Sequence, residues 1–224
     1  METKKAVIIG ASGLVGGHLL NELLQNQNYS EVTILVRKKI DFSHSKLKQQ
    51  IFDFENIDSQ DIITDEIFCA IGTTLSKAGS KAAQYHIDCE IPYAVAKNAF
   101  ANGAIGFFLI SSLGADAKSS NFYLNTKGQL EEKVKGIGFE TFVTARPSIL
   151  AGVRNENRIG EKIGLFISKI IEPLLLGSLK KYAVIEASTV AKAIVKIASS
   201  NQKGIRFIES DALKNIANSS SSTI

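Results

Sequence analysis

The feature that most restricts the fold is a series of short, almost continuously apolar segments, each separated from the next by a stretch of helix length. "KAVIIG" at 5–10, "EVTILVR" at 31–37, "EIFCAIG" at 66–72, "AIGFFLISS" at 104–112 and "FETFVTAR" at 139–146 are rich in Val, Ile, Phe and Thr. A strand with one wet face alternates apolar and polar residues, whereas a strand covered on both faces needs apolar side chains at every position. "QQIFDF" at 49–54 adds a shorter strand of the same kind. Helical periodicity fills the intervals at 13–26, about 81–102 and 122–136, so the pattern is βαβ throughout. Parallel strands need such crossovers, and the expectation is an α/β protein with helices on both faces of a parallel sheet.

After residue 147 the regularity fades. "GEKIGLFISKIIEPLLLG" reads as a helix stopped by Pro173, "TVAKAIVKIASS" as another, and "KGIRFIES" as a last strand. This tail is too short for a domain of its own, so residues 1–224 are expected to form one domain, with 148–215 contributing a small substrate or lid region. The 26 Lys and Arg against 22 Asp and Glu are scattered along the chain, which excludes a nucleic-acid surface as the expected partner site. No apolar run reaches the length of about 18 residues that crosses a bilayer, so no membrane is expected either. The lead "METKKAVIIGASG" lacks a secretory leader's apolar core, and the expected location is the cytoplasm. Cys69 and Cys89 fit neither a disulfide framework nor a metal pair and read as core residues, while His18, His44 and His86 stand away from carboxylates or thiols at ligand spacing. No metal is expected.

The segment "VIIGASGLVGGHLL" places Gly10, Gly13 and Gly16 directly after a strand and at the opening of a helix. In that setting the first glycine makes the tight turn, the second lets the backbone approach a diphosphate, and the third lets the helix pack close to the sheet. This combination specifies a Rossmann-type, doubly wound parallel sheet that binds a dinucleotide. The second strand ends in "LVRKK", so Arg37 and Lys38 stand where an NAD-selecting carboxylate is expected. A cationic pair favours the 2′-phosphate of NADP(H), although two solvated loop charges would look the same. Asp53, ending the third strand, has the position to accept from the adenine amino group or to be an ordinary strand-end Asp. Gly72, ending the fourth, flanks the cofactor at the sheet's carboxyl edge.

Strand five ends in Ser111 and Ser112 at that same edge, and the helix after it carries Tyr123 and Lys127 one turn apart on one face. A Tyr and a Lys at this spacing also occur on ordinary amphipathic helices, as a half-buried ring beside a solvated amine. The glycine loop, the serine pair and their order along the chain set this instance apart. With "GASGLVG", the strand-end "SS" and "YLNTK", the chain resembles the short-chain dehydrogenase/reductase superfamily. "FCAIGTTLSKAG", "ISSLGADAKSSNFYLNTKGQLEEKV" and "ARPSILAGVRNENRIGE" resemble more closely its atypical branch, which contains the Tat-interacting oxidoreductase-like proteins, over roughly residues 5–200.

The resemblance implies that Tyr123 is the general acid/base at a carbonyl oxygen, that Lys127 lowers the tyrosine's pKa and holds the nicotinamide ribose, and that Ser112, with Ser111 in reserve, orients the substrate carbonyl. An ammonium beside a phenol stabilises the phenolate and brings an ordinary pKa near 10 toward neutrality. It further implies cofactor contacts from Ser12, Gly13, Leu14 and Val15, from Arg37 and Lys38 at the 2′-phosphate, from Ile71 and Gly72 beside the adenosine, and from Leu150 and Arg158. Two departures stand out. Asp88 occupies a place where extended members carry asparagine, with Pro92 following, and the C-terminal part is too short for the substrate lobe of nucleotide-sugar enzymes. The expectation is therefore an NADP(H)-dependent oxidoreductase acting on a small or hydrophobic carbonyl or alcohol, as monomer or homodimer. The rival is an NADP(H)-binding regulatory protein with little catalysis.

Overall fold

The computed structural model describes residues 3–152 and 182–219. Its seven-stranded sheet is parallel throughout, in the order β3-β2-β1-β4-β5-β6-β9. The strands are β1 (Lys4–Ile9), β2 (Tyr29–Val36), β3 (Leu47–Ile51), β4 (Glu66–Cys69), β5 (Gly106–Ile110), β6 (Thr141–Arg146) and β9 (Gly204–Glu209). A separate parallel pair joins β7 (Leu150–Ala151) to β8 (Ile185–Glu186). Strand order reverses at β1, whose neighbours are β2 and β4, and this switch point opens a crevice at the carboxyl edge.

The unbroken apolar runs are explained by two cores, one on each face. Ala6 and Ile8 of β1 and Phe108 of β5 pack on one side against Leu19, Leu20 and Leu23 of α1 (Leu14–Gln25) and Val190, Ala191 and Ile194 of α6 (Ala187–Ser199). Val7, Ile9, Phe107 and Leu109 pack on the other against Val95 and Ala99 of α4 (Ile91–Ala101) and Leu130 and Val134 of α5 (Phe122–Lys135). Successive side chains of a strand point to opposite faces, so each face receives every second residue. Each such side chain, fully buried, contributes about 1.5–3 kcal/mol. Among the described residues no helix is long and apolar enough to cross a membrane.

Two local expectations are corrected. The third strand lies at 47–51 instead of 49–54, because its register is set by pairing with Val32–Val36 of β2. Asp53 therefore sits in the turn beyond it, where its carboxylate accepts from the Glu55 amide at 3.0 Å and the Asn56 side-chain amide at 2.6 Å. The helix expected over 81–102 is three pieces: α3 (Lys81–Tyr85), a π-helical turn at His86–Glu90, and α4. Pro92 has no N–H to offer the Asp88 carbonyl four residues earlier, and a wider turn absorbs the missing bond.

Candidate functional site

A cavity of about 980 Å³ opens at the switch point. One wall is the loop from β1 to α1. Gly10 has φ +85°, and a Cβ on it would lie 2.6 Å from the Ala70 carbonyl carbon, so only glycine lets the ends of β1 and β4 meet there. A Cβ on Gly16 would lie 2.0 Å from the Gly10 oxygen, so the first turn of α1 sits directly on the loop. Neither glycine lines the cavity; both shape it. Ser12, Gly13, Leu14 and Val15 do line it. Gly13 is the N-cap and supplies no side-chain cap, and the first turn carries no acidic residue, so the opening amides of α1 meet no carboxylate from their own turn. These features fit the diphosphate of a dinucleotide.

The opposite wall comes from the loop after β4, the π-helical turn and α5. Ile71, Gly72, Tyr123, Lys127 and Leu150 all line the cavity. Asn121 caps α5, its side-chain oxygen accepting from the Leu124 amide at 3.1 Å, which fixes the helix start one turn ahead of Lys127. Gly128 lets the helix press on the preceding loop, since a Cβ there would lie 2.2 Å from the backbone of Asp116 and Ala117. Tyr123 keeps 38% of its surface exposed, while Lys127 keeps 3%. The Lys127 ammonium lies 6.0 Å from the Tyr123 ring centroid.

Ser112 does not face this cavity. Its hydroxyl donates to the Leu113 carbonyl at 3.4 Å, whereas Ser111 lines the cavity with a buried Oγ that has no hydrogen-bond partner among the described residues. Ser111 continues the ladder of β5 through its amide to the Ala145 carbonyl at 2.8 Å, and the chain turns away only after it. The serine that faces the crevice is thus one residue earlier than expected. Arg37 and Lys38 follow β2 as exposed residues and, with Asp53, are not part of the cavity lining. Arg158 lies outside the described residues, as does the apolar helix expected around Pro173.

Asp88 is fully buried and lines the same cavity. Its Oδ1 accepts from the Thr73 amide at 2.7 Å, and its Oδ2 lies 3.8 Å from the Lys127 ammonium with no hydrogen bond of its own. Burial pushes the carboxyl's pKa up, while Lys127 and the Thr73 amide pull against that rise. Burial likewise drives the Cys69 thiol up to about 12, which leaves it inert. Sequence reasoning missed Lys77, Lys81 and Phe122 as lining residues. Lys77 and Lys81 lie on helices of 4 and 5 residues whose direction no periodicity reveals, and Phe122 is the first residue of α5, where the helix pattern has only begun. Among the described residues no group of three or more His, Cys, Asp and Glu side chains is placed to hold a metal ion.

The sequence pattern of the NAD dependent epimerase/dehydratase family matches residues 6–207. The chain belongs to this family. Relatives in it include the protein FMP52, mitochondrial, of Candida albicans, 35% identical over 95% of this chain and 97% of its own length, and the protein HTATIP2 of Rattus norvegicus, 32% identical over 98% and 92%. The second is the relationship that the "SSNFYLNTKG" block led us to expect. Among solved structures, the human epimerase family protein SDR39U1 with NADPH superposes with a TM-score of 0.64, covering 92% of this chain and 74% of that one at 14% identity, a likeness of fold. Membership in the epimerase/dehydratase family makes the chain an NAD(P)-binding protein of an enzyme family. One expectation falls: fungal relatives are named as mitochondrial, which overturns the cytoplasmic reading. The absence of an apolar leader core tests only for secretion, because mitochondrial addresses are amphipathic and carry no such core.

Proposed function

We propose that this protein is an NADP(H)-dependent oxidoreductase that reduces a carbonyl or oxidises an alcohol, with Ser111, Tyr123 and Lys127 at the reacting centre. The observation that carries this reading is that all three line one cavity with the uncapped amides of α1. When bound, the dinucleotide supplies or accepts a hydride. The chain's part is orientation and proton handling. The Ser111 hydroxyl, without a hydrogen-bond partner among the described residues, is available to donate to a carbonyl oxygen, and the exposed Tyr123 carries on its Oη the proton that this oxygen receives. Lys127, 6.0 Å from the Tyr123 ring centroid, orders the ribose side. Arg37 and Lys38, exposed cations just after β2, support the preference for NADP(H) over NAD(H). Residues 148–215 are proposed to complete the substrate side.

Titration calorimetry with NADPH and NADH tests the cofactor. NADPH is expected to bind the more tightly, and Arg37→Ala to weaken it about tenfold with NADH unaffected. Equal binding of both dinucleotides by the wild type removes the NADP(H) assignment. Tyr123→Phe is expected to lower turnover in a carbonyl screen by about 10²-fold or more while NADPH binding persists. A second reading, a dinucleotide-binding regulatory protein with little turnover, draws on Asp88. A carboxylate 3.8 Å from the Lys127 ammonium opposes the field that would activate Tyr123. Absence of turnover with every carbonyl, alongside firm NADPH binding, selects it.

A further inference from the structure

Resting on the hydride-transfer reading above, we infer that the substrate is an anionic carbonyl compound, a keto or aldehydo acid, whose charged end is received by Lys81 at the mouth of the cavity. Four lining residues carry formal charge: Lys77, Lys81, Lys127 and Asp88. Asp88 and Lys127 lie 3.8 Å apart in the interior and answer each other. Lys81 is then the charged lining residue whose ammonium faces the cavity mouth.

Lys81 opens α3 as an exposed residue, and no carboxylate pairs with it among the described residues. Its ammonium lies 5.5 Å from the centroid of the Phe122 ring. Phe122 and Tyr123 are the first two residues of α5, so this contact seats a cation at the helix start that also carries the proton donor. An aromatic face steadies the lysine's long chain and leaves its hydrated head open to an anion. A molecule held by its charge at Lys81 would lay its body along Phe122 and Leu75, both of which line the cavity, and extend inward toward Ser111 and Tyr123. Lys81 belongs to the segment after β4, whereas the diphosphate cradle belongs to the turn after β1, so the two anion-attracting features come from different elements. A cation at a concave entrance also attracts anions and speeds their arrival, an effect that salt removes.

The test compares 4-carboxybenzaldehyde with methyl 4-formylbenzoate, which differ in charge at one end, at saturating NADPH. The wild type is expected to show a kcat/KM about fivefold higher for the acid at low ionic strength. Lys81→Gln should bring the ratio near one with NADPH affinity unchanged, and about 0.5 M salt should do the same to the wild type. Equal use of acid and ester by the wild type overturns the inference and leaves the oxidoreductase reading intact. A ratio that survives in Lys81→Gln also overturns it, and so does a loss of NADPH affinity without a change in the ratio, which would assign the lysine to a cofactor phosphate. If neither aldehyde turns over, calorimetry of 4-carboxybenzaldehyde on the NADP⁺-bound protein decides: binding that Lys81→Gln weakens about fivefold upholds the anion site, and binding that is absent or insensitive ends it. Failure to bind NADPH would instead end the reading on which it rests.

Discussion

A carboxylate removed from water is costly unless a cation or hydrogen-bond donors answer it, and Asp88 is answered on one oxygen only. The Thr73 amide holds Oδ1, leaving Oδ2 to face Lys127 across 3.8 Å without a hydrogen bond. Burial therefore wins over Lys127, the Thr73 amide and the Gln84 side chain together and raises the carboxyl's pKa. By linkage, a raised pKa means that this group favours folding fully below the ordinary carboxylate range and loses that contribution as pH rises through the folded value. Asp88→Asn keeps the shape and removes the titrating group. The fall in stability as pH rises out of the ordinary carboxylate range should then be smaller than in the wild type, measured by urea unfolding across that range. A stability profile identical to the wild type would show that burial of the Asp88 carboxyl does not set it.

At the scale of elements, the site depends on how α5 and the π-helical turn are seated. Gly128 allows the helix to touch the Asp116 and Ala117 backbone, and a methyl group there would meet rigid atoms at 2.2 Å. Alanine in a helix interior is worth about 1 kcal/mol over glycine, yet here overpacking against backbone outweighs it. Gly128→Ala should lower stability by about 2 kcal/mol in urea unfolding; a gain in stability would mean the loop yields freely. The same scale shows what could be read beforehand. The strands were legible because β1, β2, β4, β5 and β6 are buried on both faces, and the dinucleotide loop because Gly10 and Gly16 answer contacts that forbid a Cβ. The π-helical turn was not, since Pro92 signals a break without saying whether the helix ends or widens. The choice between Ser111 and Ser112 depends on where the chain leaves β5, a parity of one residue that a run of apolar letters does not fix. Lys81 sits on a five-residue helix, too short to show a face.

Over the whole molecule, the two edges of the sheet carry different tasks. The carboxyl edge gathers the cavity, with its unpartnered Ser111 hydroxyl and half-satisfied Asp88. The amino edge is closed by a buried network: Glu66, at the start of β4, accepts from Lys4 of β1 at 2.5 Å and from the Tyr29 hydroxyl of β2 at 2.5 Å, and Lys4 reaches on to Asn201 beyond α6 at 2.5 Å. Three adjacent strands and the turn after a helix are thus tied through one side chain with 3% exposure. Burial raises the Tyr29 pKa well above its ordinary value, with Glu66 adding to the rise, so the phenol stays protonated as a donor. Its contribution to folding is full below about pH 10 and is lost as pH rises through the folded value. Glu66→Ala leaves the Tyr29 hydroxyl and the Lys4 ammonium without their acceptor and should cost about 3 kcal/mol in urea unfolding. Because the network lies at the opposite end of the strands from the diphosphate cradle, calorimetry on the folded variant should return the wild-type NADPH affinity. Loss of affinity in parallel with stability would show that the two edges are coupled through the short β4 strand.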